Sequence, residues 1–318
     1  MKKDKKNKIV CFGGGNAMPK AVLAGLKKYP SVTISAICAM LDSGGSSGRL
    51  REDYNITAPG DIRRAFIALA NTSPVIESLF NYRFKSGELK GHNFANLFIT
   101  ALELSSNDCE EMYDQIHKML NIPHKVLPVT IDDSQLCAKL ENGKIVSGET
   151  NIDIPKHNSN LKIEEVFLKP KAKIYPKSLK EIQEADLIVI GPGDLYSSLA
   201  QILLVEGVSE AIMKSKAKKV YVCNLMTKEG ETNNFKVKDF TKQIEEFLGG
   251  EVDYVLYNTQ EPTREAIEKK RKKHPELNKV VRYSKDLNKD KFIGNDFLDL
   301  SNMNHDPKKL SKVILNLL

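Results

Sequence analysis

The chain has 318 residues, of which 41% are hydrophobic and 28% charged, and its formal net charge is +7. A chain of this length and composition can bury a substantial core, which excludes a disordered chain and a small scaffold held by disulfides. The basic excess is confined to residues 1–8 and 264–273, which is typical of solvated surface and argues against a nucleic-acid groove.

Short apolar runs alternate with helical patterns at both ends of the chain. Residues 1–8 are predicted to form a basic flexible tail. Apolar runs predicted as strands then occupy residues 8–12, 32–40, 185–190, 218–224 and 253–258. Near-continuous apolar strands that alternate with helices indicate a parallel sheet covered on both faces. We therefore predict an α/β fold with a Rossmann-like, doubly wound, mainly parallel sheet.

The middle of the chain is predicted to add two insertions to this sheet. Residues 60–122 show helical periodicity four times and are predicted as a helical segment. Residues 124–175 change to short apolar runs around an Asn142–Gly143 turn, which indicates a small antiparallel β insertion at the sheet edge. Strands of the first type resume afterwards, so residues 9–318 are interpreted as one domain that closes with a helix over 306–318.

A glycine-rich turn follows the first predicted strand. It consists of Gly13, Gly14, Gly15 and Asn16 and leads directly into a helix. Glycines let the backbone approach a phosphate, and a helix N-terminus offers free N–H groups; a tight packing turn is the alternative interpretation. The dinucleotide fingerprint requires a third glycine where this chain has Met18, so an NAD site is not supported.

A polar segment, residues 42–51, follows the second predicted strand. Its predicted phosphate or nucleotide contacts are Ser43, Gly44, Gly45, Ser46, Ser47 and Arg49. Arginine can fork onto phosphate oxygens, although a plain linker would have a similar composition. Asp42 and Asp61 are candidates to hold Mg²⁺ together. Asp61 opens the next helix, where a carboxylate often only interacts with the helix dipole.

A third segment repeats the order of strand, glycine turn and helix. Its predicted phosphate contacts are Gly191, Pro192, Gly193, Asp194 and Ser197. Two helix N-termini that face one crevice at the carboxyl ends of parallel strands would suit a nucleotide diphosphate. Contacts to the sugar or the base are predicted for His92, Asn93, Asn96, Asn224 and Asn258. Asn93 is also a candidate N-cap, and a lone histidine such as His92 is more often structural.

The cysteines and the apolar runs indicate the compartment. The five cysteines are odd in number and lack the Cys-x-x-Cys or Cys/His spacing of zinc sites, which fits a reducing cytoplasm. The apolar stretch after the lysine-rich start runs only from Ile9 to Phe12, too short for a signal peptide. No run approaches the roughly 18 apolar residues of a membrane helix.

Together these segments resemble the YvcK-like gluconeogenesis factor family, which is related to 2-phospho-L-lactate transferase (CofD). The resemblance rests on motifs that occur in the family's order, namely GGGNAMPKAVLAGLKKYP, LDSGGSSGRLRED, APGDIRRAFIAL, GHNFANLF, GKIVSGET, ADLIVIGPGDLYSSLAQILLVEGVSEAI and KKVYVCNLMTKEGET. It implies a CofD-like fold, a cytoplasmic location, and a role in gluconeogenic carbon metabolism, cell-envelope synthesis and cell shape.

The resemblance also implies a ligand. Family members are associated with UDP-sugars such as UDP-N-acetylglucosamine, whereas the CofD relatives transfer a phospholactyl group from a nucleotide diphosphate with Mg²⁺. This chain departs from the family pattern at Asn16–Ala17, at Ser43 and at Ala95. Ser43 replaces a second aspartate, and a single carboxylate holds Mg²⁺ less well than two. We therefore expect a regulatory protein that binds a nucleotide-sugar, with a Mg²⁺-dependent CofD-like phosphotransferase as the alternative; a homodimer stays open.

Overall fold

The computed structural model describes residues 6–318, so residues 1–5 of the predicted tail lie outside the described residues. The strands are β1 Asn7–Gly13, β2 Val32–Cys38, β3 Lys125–Pro128, β4 Gln135–Leu140, β5 Ile145–Ser147, β6 Ile163–Lys169, β7 Leu187–Ile190, β8 Lys218–Val222, β9 Met226–Lys228, β10 Tyr254–Asn258, β11 Leu277–Val280, β12 Phe292–Asn295, β13 Leu298–Asp299 and β14 Asn304–His305. The predicted tail is too long, because Lys8 already pairs with Thr33 inside β1 and its N–H donates to the Asp186 carboxylate at 2.7 Å.

The helices alternate with the strands of the main sheet. They are α1 Ala24–Leu26, α2 Gly45–Tyr54, α3 Pro59–Leu69, α4 Pro74–Asn81, α5 Phe94–Ser105, α6 Cys109–Met119, α7 Glu149–Asp153, α8 Pro176–Gln183, α9 Gln201–Leu203, α10 Val208–Lys214, α11 Val237–Leu248, α12 Arg264–Lys273 and α13 Pro307–Leu315. Two π-helical segments, Pro19–Leu23 and Leu195–Ala200, run directly into α1 and α9. Among residues 6–318, no helix has both the length and the apolar character needed to cross a membrane.

Seven parallel strands form the main sheet in the order β12-β10-β8-β7-β1-β2-β3. The chain first builds outward from β1 through β2 to β3, and then returns to the other side of β1 with β7. The point where the strand order reverses therefore lies between β1 and β7. Every residue of β7 is buried, so both faces of the sheet are covered. The predicted doubly wound α/β fold is confirmed.

The insertions agree with the prediction except at one strand. Four helices, α3 to α6, fill the predicted helical segment. β4, β5 and β6 form the antiparallel sheet, in the order β5-β4-β6. β3 was expected in that insertion, but it pairs in parallel with β2 as the edge strand of the main sheet. Val126 and Leu127 of β3 are buried, which is the environment of a main-sheet strand rather than of a half-exposed insertion.

The C-terminal part adds a small layer beside the carboxyl ends of the strands. β9 pairs with β11, and β13 pairs with β14, both antiparallel. Met226, Leu298 and Met303 form a second, smaller apolar cluster there, against which α12 packs through Ala266 and Ile267. α12 itself has no buried residue. The closing helix α13 begins at the cap Asp306, as its sequence pattern predicted.

Candidate functional site

A cavity of about 480 Å³ opens at the carboxyl ends of β1, β7 and β8, at the point where the strand order reverses. Ligands of open α/β sheets bind at this place. The predicted residues that line it are Gly14, Gly15, Asn16, Asp42, Asp61, Pro192, Gly193, Asp194, Ser197 and Asn224. The glycine loops after β1 and β7 both lead into π-helical segments, which are rare and frequent at functional sites.

The first glycine loop packs directly on a buried carboxylate. A Cβ atom at Gly14 would lie 2.2 Å from Asp61 Oδ2 and 2.7 Å from Ser198 Oγ, so any larger residue would displace these side chains. The N–H of Gly15 donates to the Asp61 carboxylate. Asn16 and Ala17 are exposed and lie between this loop and the π-helical segment Pro19–Leu23. Their N–H groups are therefore not bonded within that segment.

The second glycine loop differs from the first because its helix N-terminus is already occupied. The backbone N–H groups of Tyr196 and Ser197 donate to Glu231 Oε2 at 3.1 and 3.3 Å. The prediction that this N-terminus is free for a ligand phosphate is therefore wrong. Glu231 is distant in sequence, and its buried side chain accepts the N–H groups that the strand, turn and helix pattern alone would leave without a partner. Gly13 and Gly191 lie behind the loops, outside the cavity lining.

Lys228 holds the second loop, α7 and β9 together. Its ammonium pairs with Asp153, with Asp194 at 3.0 Å and with Glu231 at 3.1 Å. Burial alone would lower the pKa of Lys228, but the three carboxylates raise it above its usual value. Burial raises the pKa of Glu231, although Lys228 opposes this effect. The cluster lies at the floor of the cavity, with Lys228 and Glu231 buried and Asp153 and Asp194 partly exposed.

Three further carboxylates gather where α7 meets the ends of β2 and α3. Burial and the nearby Asp42 raise the pKa of Asp61 to about 6, against the effect of Arg64. Burial, Asp42 and Asp153 raise the pKa of Glu149 to about 9. The β insertion supplies this wall, since α7 follows β5 directly.

These carboxylates do not present a magnesium ligand set. Asp42 Oδ1 accepts the N–H of Gly44 at 3.0 Å, and Asp61 is engaged by Arg64 and by the N–H of Gly15. In the part of the chain that the structure describes, no group of three or more His, Cys, Asp or Glu side chains is placed to hold a metal ion. A magnesium-dependent transfer gains no support from this donor set.

The polar segment 42–51 is a helix for most of its length, not a pliable loop. Gly45–Tyr54 forms α2, and the serines before and within it bond to neighbouring protein groups. Ser43 Oγ accepts the N–H of Thr150 at 3.1 Å, Ser46 Oγ lies 3.2 Å from His92 Nδ1, and Ser47 Oγ accepts from Asn96 Nδ2 at 3.2 Å. The expected contact surface therefore anchors α2 to α5 and α7, and of this segment only Asp42 lines the cavity.

Arg49 lies outside the cavity. Its guanidinium donates to the carbonyl oxygens of Lys90 at 3.2 Å and of Gly45 at 3.4 Å. Gly44 and Gly45 likewise face away from the cavity, as the N-cap and first residue of α2. The expectation that the residues from Gly44 to Arg49 hold the ligand is corrected, because the helical periodicity of α2 turns these side chains elsewhere.

Of the residues predicted to contact the base or the sugar, one lines the cavity and the others do not. Asn93 caps α5 by accepting the N–H groups of Ala95 and Asn96, which confirms it as an N-cap. His92, Asn93, Asn96 and Asn258 do not line the cavity. Asn258 instead fixes its own turn, accepting the N–H of Phe297 at 3.1 Å. Asn224 does line the cavity: its Nδ2 donates to Gly193 O at 2.9 Å, and its buried Oδ1 has no partner among the described residues.

Several lining residues are not among the predicted site residues. They are Lys20, Arg64, Glu149, Asp153, Ser198, Lys228, Lys270 and His305. A lysine or glutamate one or two turns after a glycine loop looks like ordinary helix surface in a sequence. The signal that could have identified Lys20 is its position one turn after Asn16, on the side of the helix that follows the glycine turn.

Comparisons with known proteins agree with this architecture. The family model described as 2-phospho-L-lactate transferase CofD matches residues 9–297. The putative gluconeogenesis factor of Thermotoga maritima is 43% identical over 265 residues, covering 83% of this chain and 83% of that protein. The gluconeogenesis factor of Bacillus subtilis is 41% identical over 259 residues, 80% of each chain. A crystal structure of a UPF0052 family member from Bacillus halodurans has a TM-score of 0.90 at 37% identity, covering 98% of this chain and 99% of that one.

Proposed function

The chain belongs to the CofD family and is similar within it to the gluconeogenesis factors, and from this we propose a ligand. The cavity binds a nucleotide-sugar such as UDP-N-acetylglucosamine. The bound ligand makes the protein a cytoplasmic regulator that links gluconeogenic carbon metabolism to cell-envelope synthesis and cell shape. The family resemblance suggests this role, and the polarity of the cavity supports the ligand class.

The observation that carries the proposal is the basic end of the cavity. Lys20 and Lys270 both line it, and burial together with the charge of Lys20 lowers the pKa of Lys270. Lys270 Nζ donates to Asn304 Oδ1 at 2.7 Å, and neither ammonium has an ion-pair partner among residues 6–318. Two neighbouring cations beside the N–H groups of Asn16 and Ala17 suit the two negative charges of a diphosphate.

The opposite end of the cavity is acidic. Asp42, Glu149 and Asp153 line it, and carboxylates accept hydrogen bonds from hydroxyl groups. The negative charge here, to which the protonated Glu149 does not contribute, repels a second anionic group. A ligand with one dianionic part and one part rich in hydroxyls therefore matches both ends. The unpartnered Oδ1 of Asn224 offers an acceptor for an N–H of the base or of an acetamido group.

Isothermal titration calorimetry with UDP-N-acetylglucosamine tests the proposal. We expect saturable binding, and we expect the Lys20→Gln variant to bind about tenfold more weakly because one charge-assisted phosphate contact is lost. Lys28→Gln, an exposed lysine just beyond the same helix, is the matched control and should bind as the wild type does. Binding that does not saturate at millimolar ligand, or an equal loss in both variants, would contradict the proposal.

A further inference from the structure

A second cavity, of about 430 Å³, adjoins the first. It lies between α12 and the segment 300–304, and the two cavities share Lys270, His274, Met303 and Asn304 in their lining. Its volume is within the range of small-molecule sites. The nucleotide-sugar proposal leaves this cavity without a role.

The wall formed by α12 is strongly basic. Lys269, Lys270 and Lys273 all line the second cavity, at spacings that place them on one side of the helix, and Glu265 is the acidic residue among its lining. None of the three ammonium groups forms an ion pair with a carboxylate within the described range 6–318. Lys273 is one of the charges that lower the pKa of Lys270, after burial and Lys20. Cations that crowd together without counter-charges favour an anionic ligand.

The facing wall is held in place by Asp299. Its carboxylate accepts hydrogen bonds from Ser301 Oγ at 2.7 Å and from Asn302 Nδ2 at 2.6 Å. Met303, the next residue, is buried in the left-handed conformation at φ 56° and stands in the lining of both cavities. These hydrogen bonds order the segment, and the lysines of α12 supply most of the positive charge that a ligand would meet.

We propose that this second cavity is a separate binding site for a small phosphate monoester. A phosphate monoester carries a charge of about −1.5 to −2 at pH 7, which suits three lysines opposed by one glutamate. Among the described residues, the cavity lining contains no Phe, Tyr or Trp side chain on which a base could stack, and the ring of His274 is held by Glu276 at 3.1 Å. A small molecule therefore fits the cavity better than single-stranded nucleic acid. Lys270 lines both cavities, so the two ligands compete for one ammonium group; this coupling, unlike the site itself, rests on the proposed function.

Titration with inorganic phosphate at constant ionic strength tests the site. We expect saturable binding by the wild type and at least about tenfold weaker binding by Lys273→Gln, the effect of losing one charge-assisted hydrogen bond. Lys272→Gln is the matched control, since it removes the same charge from the same helix at a residue outside the cavity. It should bind phosphate within about twofold of the wild type. Both residues are exposed, so both variants should fold, which thermal unfolding will verify.

UDP-N-acetylglucosamine separates the two proposals. Lys273→Gln should bind it as the wild type does, whereas Lys270→Gln should bind both ligands more weakly. Phosphate binding that does not saturate, or an equal loss in Lys272→Gln and Lys273→Gln, would overturn the second site. Tighter binding of a single-stranded oligonucleotide than of phosphate, lost equally in both variants, would also overturn it. If the wild type binds phosphate as expected but not the nucleotide-sugar, the proposed function fails and the second site stands.

Discussion

The carboxylate of Glu231 accepts the backbone N–H of Tyr196 at 3.1 Å and thereby closes the helix N-terminus that follows the second glycine loop. Its side chain is fully buried beside Lys228. The first glycine loop has a carboxylate as well, but Asp61 accepts only the N–H of Gly15 there. Two loops with the same sequence pattern therefore differ: the N–H groups that follow the first are left open, whereas the N–H groups that follow the second are bonded to Glu231.

Replacing Lys228 with methionine should destabilise the protein strongly. Lys228 is the shared partner of Asp153, Asp194 and Glu231, and its side chain is 5% exposed. Removing Lys228 leaves the buried Glu231 without its counter-charge, and breaking a buried ion pair in this way costs about 3–5 kcal/mol. The free energy of unfolding from urea denaturation measures this loss. Lys242→Met is the control, since Lys242 is 79% exposed in its pair with Glu246 and should change stability little. A similar small change in both variants would contradict the assignment.

Glu149 should make the stability of the protein fall as the pH rises. The pKa of its carboxyl is raised from 4.5 to about 9 in the folded state, so between these values the folded chain holds a proton that the unfolded chain has lost. Unfolding then becomes easier by up to about 1.4 kcal/mol per pH unit from this group. Urea unfolding of wild type and Glu149→Gln from pH 5 to pH 9 measures the difference. The variant should gain stability relative to the wild type as the pH rises; a constant difference across this range would count against a protonated Glu149.

The sequence predicts the parts of the site that local patterns determine. Gly14 and Gly193 could be placed at the cavity because a strand, a glycine turn and a helix follow one another within a few residues, and the doubly wound sheet brings such turns to one edge. Asn93 could be predicted as the cap of α5 for the same reason. The contact of Glu231 with Tyr196 could not be predicted from the sequence. The two residues are far apart in the chain, and they meet only because β7 and β9 pair with their neighbouring strands.

Other errors arise from local ambiguity. The run that forms β3 is apolar and short, and such a run is compatible with a parallel or an antiparallel partner, so its pairing with β2 depends on the helices that precede it. Arg49 was expected at the ligand because arginine beside glycines and serines is typical of phosphate loops. Its segment is helical instead, and the rotation of α2 decides which side chains face the cavity.

Gly14→Ala should disturb the cavity through Asp61. The added methyl carbon would lie 2.2 Å from Asp61 Oδ2, so the carboxylate must move and lose its bond from Gly15. Overpacking of this kind costs about 1–3 kcal/mol. A double-mutant cycle with Asp61→Ala isolates this contribution, because the second change removes the nearer of the two clashing atoms and leaves Ser198 Oγ in place. The free energies of unfolding of the four proteins should show that Gly14→Ala costs less when Asp61 is absent; strict additivity would mean that the clash lies elsewhere.

His305 should remain neutral well below the pH at which an ordinary histidine takes up a proton. It lies in β14 and lines the cavity, and its Nε2 is 3.2 Å from Cys223 O, to which the neutral ring donates. Burial lowers its pKa from 6.5 to about 4, although the bond to Cys223 opposes this shift. Between these values the unfolded chain binds a proton that the folded chain does not, so stability should fall as the pH drops, by up to about 1.4 kcal/mol per pH unit. Imidazole ¹⁵N chemical shifts from pH 7 to pH 4.5, assigned with His305→Gln, follow the ring directly. Protonation near pH 6.5, or an acid-side slope in urea unfolding that His305→Gln does not reduce, would show that the ring is solvated and not buried against Cys223.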